Sequence, residues 1–160
     1  MASVEHESIH FIREVAVRYV GRSARIATAI RRPAEVVEFL RRVVRDDARE
    51  HFVAVYLDGR HRPIAHQVVS IGTASASLVH PREVFQPAIL VGACAVIVAH
   101  NHPSGDPTPS REDREITQRL AQAGALLGVS LLDSVVFTRK GGFVALRELE
   151  ASLFDRPWER

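Results

Sequence analysis

The run Cys94-Ala-Val-Ile-Val-Ala99 leads directly into His100-Asn101-His102-Pro103-Ser104-Gly105-Asp106-Pro107-Thr108-Pro109-Ser110-Arg111-Glu112-Asp113. The first part is continuously apolar, the profile of a strand buried on both faces. The second part is polar and rich in proline, the profile of a loop. Residues 111–127 then carry Ile116, Leu120, Ala123 and Leu127 along one side of a helix. A buried central strand, a loop and a long helix form the core of an α/β unit. The strand is expected to end at His100, and the residues just past the carboxyl end of such a strand are a usual place for a site.

Working outward, residues 10–20 have a partly alternating, β-rich pattern and are expected to be a strand. Pro33 opens a helical pattern to about residue 47, with Val36, Val37, Leu40, Val43 and Val44 on one face. Residues 51–57 and 62–71 are expected to form a hairpin closed at Asp58-Gly59. Residues 75–79 are a further candidate strand. Pro81 opens a helix to about residue 92, bent by Pro87. Residues 129–138 and 143–146 are expected strands around the turn at residues 139–142, and a short helix is expected from Arg147. Helices interleaved with strands predict an α/β fold, a mixed β-sheet sandwiched between helices. The expected organisation is a strand-like extension over 1–32, the domain over 33–148 and a tail over 149–160.

Composition narrows the function classes. The chain has 160 residues, 46% hydrophobic, with a formal net charge of +2, which suits one domain with one core. No apolar run is long enough to span a bilayer, and the N-terminus has no signal-peptide core. The single cysteine, Cys94, excludes an internal disulfide and a cysteine-based zinc site. A cytoplasmic location is expected. Lys140 is the only lysine, and the arginines form short pairs without a long basic run.

The chemistry lies in the loop. His100 and His102, two apart at a strand end, point the same way and suit convergence on one ion at about 2.0–2.1 Å. Asp113, in the first turn of the next helix, is a third candidate ligand. Two histidines and one aspartate leave a position open for water, as catalytic rather than structural zinc requires. A competing account exists for Ser110 and Asp113, because Ser-x-x-Asp before an apolar-periodic segment is a helix-capping pattern. Asp113 is then expected to do one of the two jobs fully, not both. Glu50, where the strand over 51–57 begins, is the best-placed carboxylate to take a proton from a metal-activated water. The alternative is a salt bridge from Glu50 to Arg49 or Arg45. Asn101 either fixes the two histidines through the backbone or is a simple turn residue. Asp133, in an apolar run, either orients a ligand histidine as an acceptor or pairs with a buried arginine. His80, before Pro81, is read as a helix-start or surface residue, and Cys94 as a small core residue.

His-x-His, seven residues, Ser, two residues, Asp is the pattern of the JAMM (MPN/JAB) zinc metalloproteases, and His100, His102, Ser110 and Asp113 match it. Residues 99–106, with Ser77-Leu-Val-His-Pro-Arg-Glu-Val-Phe85, Arg49-Glu-His-Phe52 and Leu131-Leu-Asp133, resemble more narrowly the RadC group of that family. The resemblance spans about residues 33–148. It implies one zinc ion held by His100, His102 and Asp113, with Glu50 as general acid/base and the Ser110 hydroxyl helping to hold an oxyanion. It also implies a JAMM/cytidine-deaminase-like architecture, although the deaminases' own His-x-Glu and Pro-Cys-x-x-Cys elements are absent. Two departures stand out. Longer RadC proteins carry an N-terminal helix-hairpin-helix region, where this chain has only about thirty residues before the first family helix. Ser134 also stands where RadC sequences usually have a histidine.

The resemblance therefore implies a zinc-dependent hydrolase of amide or isopeptide bonds, acting on a peptide, a ubiquitin-like protein or another amide-bearing substrate. A RadC-like, DNA repair-associated protein that binds or processes DNA is a second expectation, weakened by the low net charge. A non-catalytic interaction module is a third, and it ranks last because the expected ligands are all present. An N-terminal strand at a sheet edge would allow a homodimer.

Overall fold

The computed structural model describes residue 21 and residues 29–72 and 79–155. The expected strand over 10–20, and with it the edge proposed for a homodimer, lies outside the described residues, as does all but Val79 of the candidate strand over 75–79. The chain enters the domain at Ile30, which is buried and donates its N–H to the His61 carbonyl at 2.9 Å.

Helix α1 (Pro33–Val43) opens on Pro33, whose missing N–H costs nothing in a first helical turn. The Glu35 carboxylate turns back to accept from the Arg31 and Arg32 N–H groups. The helix stops short of the expected residue 47. Asp46 takes the Ala48 N–H at 3.0 Å and binds the Arg49 guanidinium, a local side-chain bond that competes with the helical ladder. Strands β1 (Glu50–Leu57) and β2 (Pro63–Gly72) form the expected hairpin. Helix α2 (Pro81–Leu90) tolerates Pro87 in its interior. Strand β3 (Ala95–Asn101) is buried at every position and extends one residue past His100. Helix α3 (Arg111–Leu127), β4 (Ser130–Phe137), β5 (Phe143–Ala145) and α4 (Leu146–Leu149) follow, then a 3-10 turn at Ala151–Phe154.

The sheet order is β2-β1-β3-β4-β5. Only β3 and β4 are parallel, joined by the α3 crossover, and the other neighbours are antiparallel. This is the mixed sheet of an α/β fold. Strand side chains alternate between its two faces. Val53, Val55, Leu57, Ile97 and Ala99 pack against Val36, Val37 and Leu40 of α1. Phe52, Ala54, Tyr56, Val96 and Val98 pack against Val84 and Phe85 of α2 and Ile116 and Leu120 of α3. By the same parity His100 faces α3, and Asn101 faces the α1 side. Gly124 lets α3 approach closely: a Cβ there would lie 2.4 Å from the Val129 carbonyl oxygen and 2.9 Å from the Phe85 ring.

Beyond residue 148 the chain stays packed. Leu153 is buried with Val136 and Leu146, and the Arg147 guanidinium lies 4.4 Å from the centre of the Phe154 ring. Among the described residues no helix is long and apolar enough to cross a membrane.

Candidate metal centre

β3 and α3 build the centre together. His100 is the penultimate residue of β3, His102 lies just past its end, and Asp113 is the third residue of α3. His100 is only 2% exposed and lies parallel to the Phe52 ring, with centroids 6.0 Å apart. The two Nε2 atoms are 3.0 Å apart. Asp113 Oδ1 lies 3.0 Å from His100 Nε2, and its Oδ2 lies 3.6 Å from His102 Nε2. Neighbouring ligands of a tetrahedral ion at zinc–nitrogen distances are about 3.3 Å apart. The observed spacings of 3.0–3.6 Å bracket that value, and the three side chains form a group able to hold one small divalent cation.

The ring nitrogens have different support. His102 Nδ1 lies 2.8 Å from the Asp106 carbonyl. A carbonyl only accepts, so Nδ1 carries a proton and Nε2 is the nitrogen turned to the centre. His100 Nδ1 is buried, with no hydrogen-bond partner among the described residues. Such an orphan is costly, and the orientation of His100 rests on its Nε2 contact to Asp113 and on packing against Phe52.

Asp113 caps α3 and also reaches the two imidazoles. Its Oδ2 accepts from the Ser110 N–H and the Ser110 hydroxyl, each at 2.7 Å, while Ser110 Oγ accepts from the Asp113 N–H at 3.1 Å. Its Oδ1 remains on His100. Oδ2 thus meets both the helix cap and His102, while Oδ1 meets His100. Burial opposes ionisation of Asp113, but hydrogen bonds from His100, His102 and Ser110 hold its carboxyl far below the usual range. The His102 ring is pushed up, first by its hydrogen bond to Asp113, against burial.

Glu50 enters from the neighbouring strand. Phe52 pairs with His100 in the β1–β3 register, and counting on by two residues puts Glu50 across from His102, on the same face. Its charge adds to the upward shift of His102. Arg49, next to Glu50 in the chain, pairs with Asp46.

Asp133 and Asn101 both bond to backbone groups. Asp133 does not orient a ligand histidine. It pairs with Ile97, three residues below the level of His100, about 10 Å along a strand. Its carboxylate accepts from the Ser134 and Arg147 N–H groups, closing the β4 and α4 backbone, and burial raises its pKa. Asn101 points away from the two imidazoles and bonds to β1. Ser134 is buried opposite Val98. His80 starts α2, donating its N–H to Glu83 at 3.2 Å, and Cys94 is exposed rather than in the core.

A polar cleft of about 390 Å³ opens beside His102, walled by Asn101, Pro103 and Gly105 on one side and the Thr138–Gly142 turn on the other, with Asp47 and Lys140 at its edge. Arg41 holds that turn through the Thr138 and Gly141 carbonyls, and Arg139 ties it to the Arg45 carbonyl. Sequence reasoning missed this wall. Its residues are distant in the chain and carry no motif.

A mixed sheet with a His-His-Asp group at the tip of its central strand, faced by a glutamate from the next strand, defines a JAB/MPN-type domain. The chain belongs to the RadC-like JAB domain family, whose model matches residues 30–151. It is 49% identical over 119 residues to a UPF0758 protein of Halalkalibacterium halodurans, covering 74% of this chain and 51% of that protein. It is 53% identical over 116 residues to a UPF0758 protein of Symbiobacterium thermophilum, covering 72% and 49%. The chain thus spans about half the length of the curated relatives it matches.

Proposed function

We propose that this domain is a zinc-dependent hydrolase of amide bonds, with peptides or isopeptide-linked proteins as its substrate class. The observation that supports this best is the convergence of His100, His102 and Asp113 beneath a glutamate held on a separate strand. Bound zinc would lower the pKa of a water to about 7 and polarise a carbonyl. His100, His102 and Asp113 are the residues that would hold it.

The remaining work falls to the chain. Glu50 accepts the proton of the attacking water and delivers it to the leaving amine. Asp113, kept ionised, contributes a negative charge that the two neutral imidazoles do not. Ser110 has its hydroxyl proton on Asp113 and reaches an oxyanion by rotating about χ1. The cleft beside His102 receives the chain that flanks the scissile bond.

The test is to load the protein with one equivalent of zinc, incubate it with a proteome-derived peptide library, and read new termini by mass spectrometry. New termini from the wild type are expected, with the rate about 10²–10⁴ lower in Glu50→Gln at equal zinc content. Zinc-loaded wild type that produces no new termini would sink the proposal.

A further inference from the structure

The tip of β3 alternates, so its neighbouring side chains serve opposite faces. His100 and His102 face the metal centre. Asn101 between them is 3% exposed and reaches across to β1. Its Oδ1 accepts from the His51 backbone N–H at 2.8 Å, and its Nδ2 donates to the Arg49 carbonyl at 2.9 Å. These are the backbone groups on either side of Glu50. The β1–β3 register runs from Leu57–Ala95 to Phe52–His100 and stops there. Glu50 lies beyond that last pair, held on its far side by β2 through Gly72. The Asn101 amide takes over where the ladder ends.

We propose that Asn101 is a positioning residue for Glu50, setting its separation from the metal-ligating histidines. The proposal rests on the reading of Glu50 as the general base. One strand tip then fixes both halves of the centre: the imidazoles directly, and the carboxylate through a clamp on the flanking backbone. The clamp needs a donor and an acceptor on one short side chain, which among neutral residues of this length asparagine alone offers. Aspartate keeps the acceptor for His51 but sets a second acceptor against the Arg49 carbonyl. Alanine keeps neither.

The experiment compares zinc-loaded wild type, Asn101→Ala and Asn101→Asp by metal content, by crystal structure, and by kcat and KM on a peptide that the wild type cleaves. Expected are unchanged zinc stoichiometry, displacement of the Glu50 carboxylate in Asn101→Ala, and kcat lower by about 10–100-fold with KM nearly unchanged. Asn101→Asp should fall in between, and it carries the comparison if the alanine variant does not fold. Glu50 in its wild-type place, or kcat within about twofold of wild type, overturns the proposal. If the wild type cleaves no peptide, the hydrolase reading fails, while the crystal structures still decide the clamp by where Glu50 lies.

Discussion

Ser110 shows how much one side chain is asked to do. Its Oγ caps α3 by accepting the Asp113 N–H, and its proton goes to Asp113 Oδ2. Ser110→Ala removes both contacts. Losing the cap should cost about 1 kcal/mol of stability, and losing the bond to a metal-ligating carboxylate should weaken zinc binding about 10–100-fold. At saturating zinc we expect the rate to fall by a further 10²–10³ or about that, the usual value of one oxyanion donor. Thermal melting, zinc titration and kcat separate the three effects, and an unchanged kcat assigns the hydroxyl to Asp113 alone. The spacing of His100, His102, Ser110 and Asp113 carried the centre's composition in the sequence. That Asp113 meets Ser110 and both imidazoles at once was hidden, because it depends on how the Pro-rich loop returns the helix to the strand. The place of Asp133 was hidden for a related reason: an acidic residue in an apolar run signals a buried partner, but not whether that partner is an imidazole or, as here, two backbone N–H groups.

At the scale of elements, β3 and α3 were the most legible. The unbroken apolar run of β3 and the apolar stripe of α3, with Ser110 at one end and Gly128 in the left-handed conformation at the other (φ 72°), are local signals that tertiary packing reinforces. The end of α1 was less legible, because Val43 and Val44 continue its apolar face while Asp46 diverts the backbone. Helix packing here depends on Gly124. A methyl group at that position meets a backbone oxygen and an aromatic ring, neither of which yields easily. Gly124→Ala should therefore destabilise the fold by about 1–3 kcal/mol, although alanine favours helix in isolation. Chemical denaturation checks this, and a neutral or stabilising result would contradict the close approach of α3 to Phe85 and Val129.

For the molecule as a whole, protonation and metal binding are coupled at one buried point. Without metal, the His102 ring, raised above its ordinary 6.5, contributes stability that is complete below that value and lost as pH rises through the raised pKa. Asp113, lowered from 3.8, contributes stability that is complete above that value and lost as pH falls through the depressed pKa. The pair thus stabilises the metal-free protein most between about pH 4 and 6.5. Zinc requires the His102 proton to leave, so zinc-induced stabilisation grows with pH across the range where the metal-free pair weakens. Melting temperatures of wild type and Asp113→Asn from pH 5 to 8, with and without zinc, isolate this contribution. A metal-free difference between the two that widens from pH 6.5 to 8 would contradict it. The sheet order and the cleft wall at Thr138–Gly142 belong to this scale, and neither is written in any local pattern. They follow from the parallel β3–β4 pairing and from Arg41 and Arg139 reaching the turn across the chain.

The most direct measurement is a crystal structure of the zinc-loaded protein with anomalous data at the zinc edge. One peak per chain is expected, within about 2.0–2.2 Å of Nε2 of His100, Nε2 of His102 and a carboxylate oxygen of Asp113, with Glu50 facing the remaining position. A peak held by other residues, or no peak at saturating zinc with the two imidazoles and Asp113 still hydrogen-bonded to one another, would contradict it.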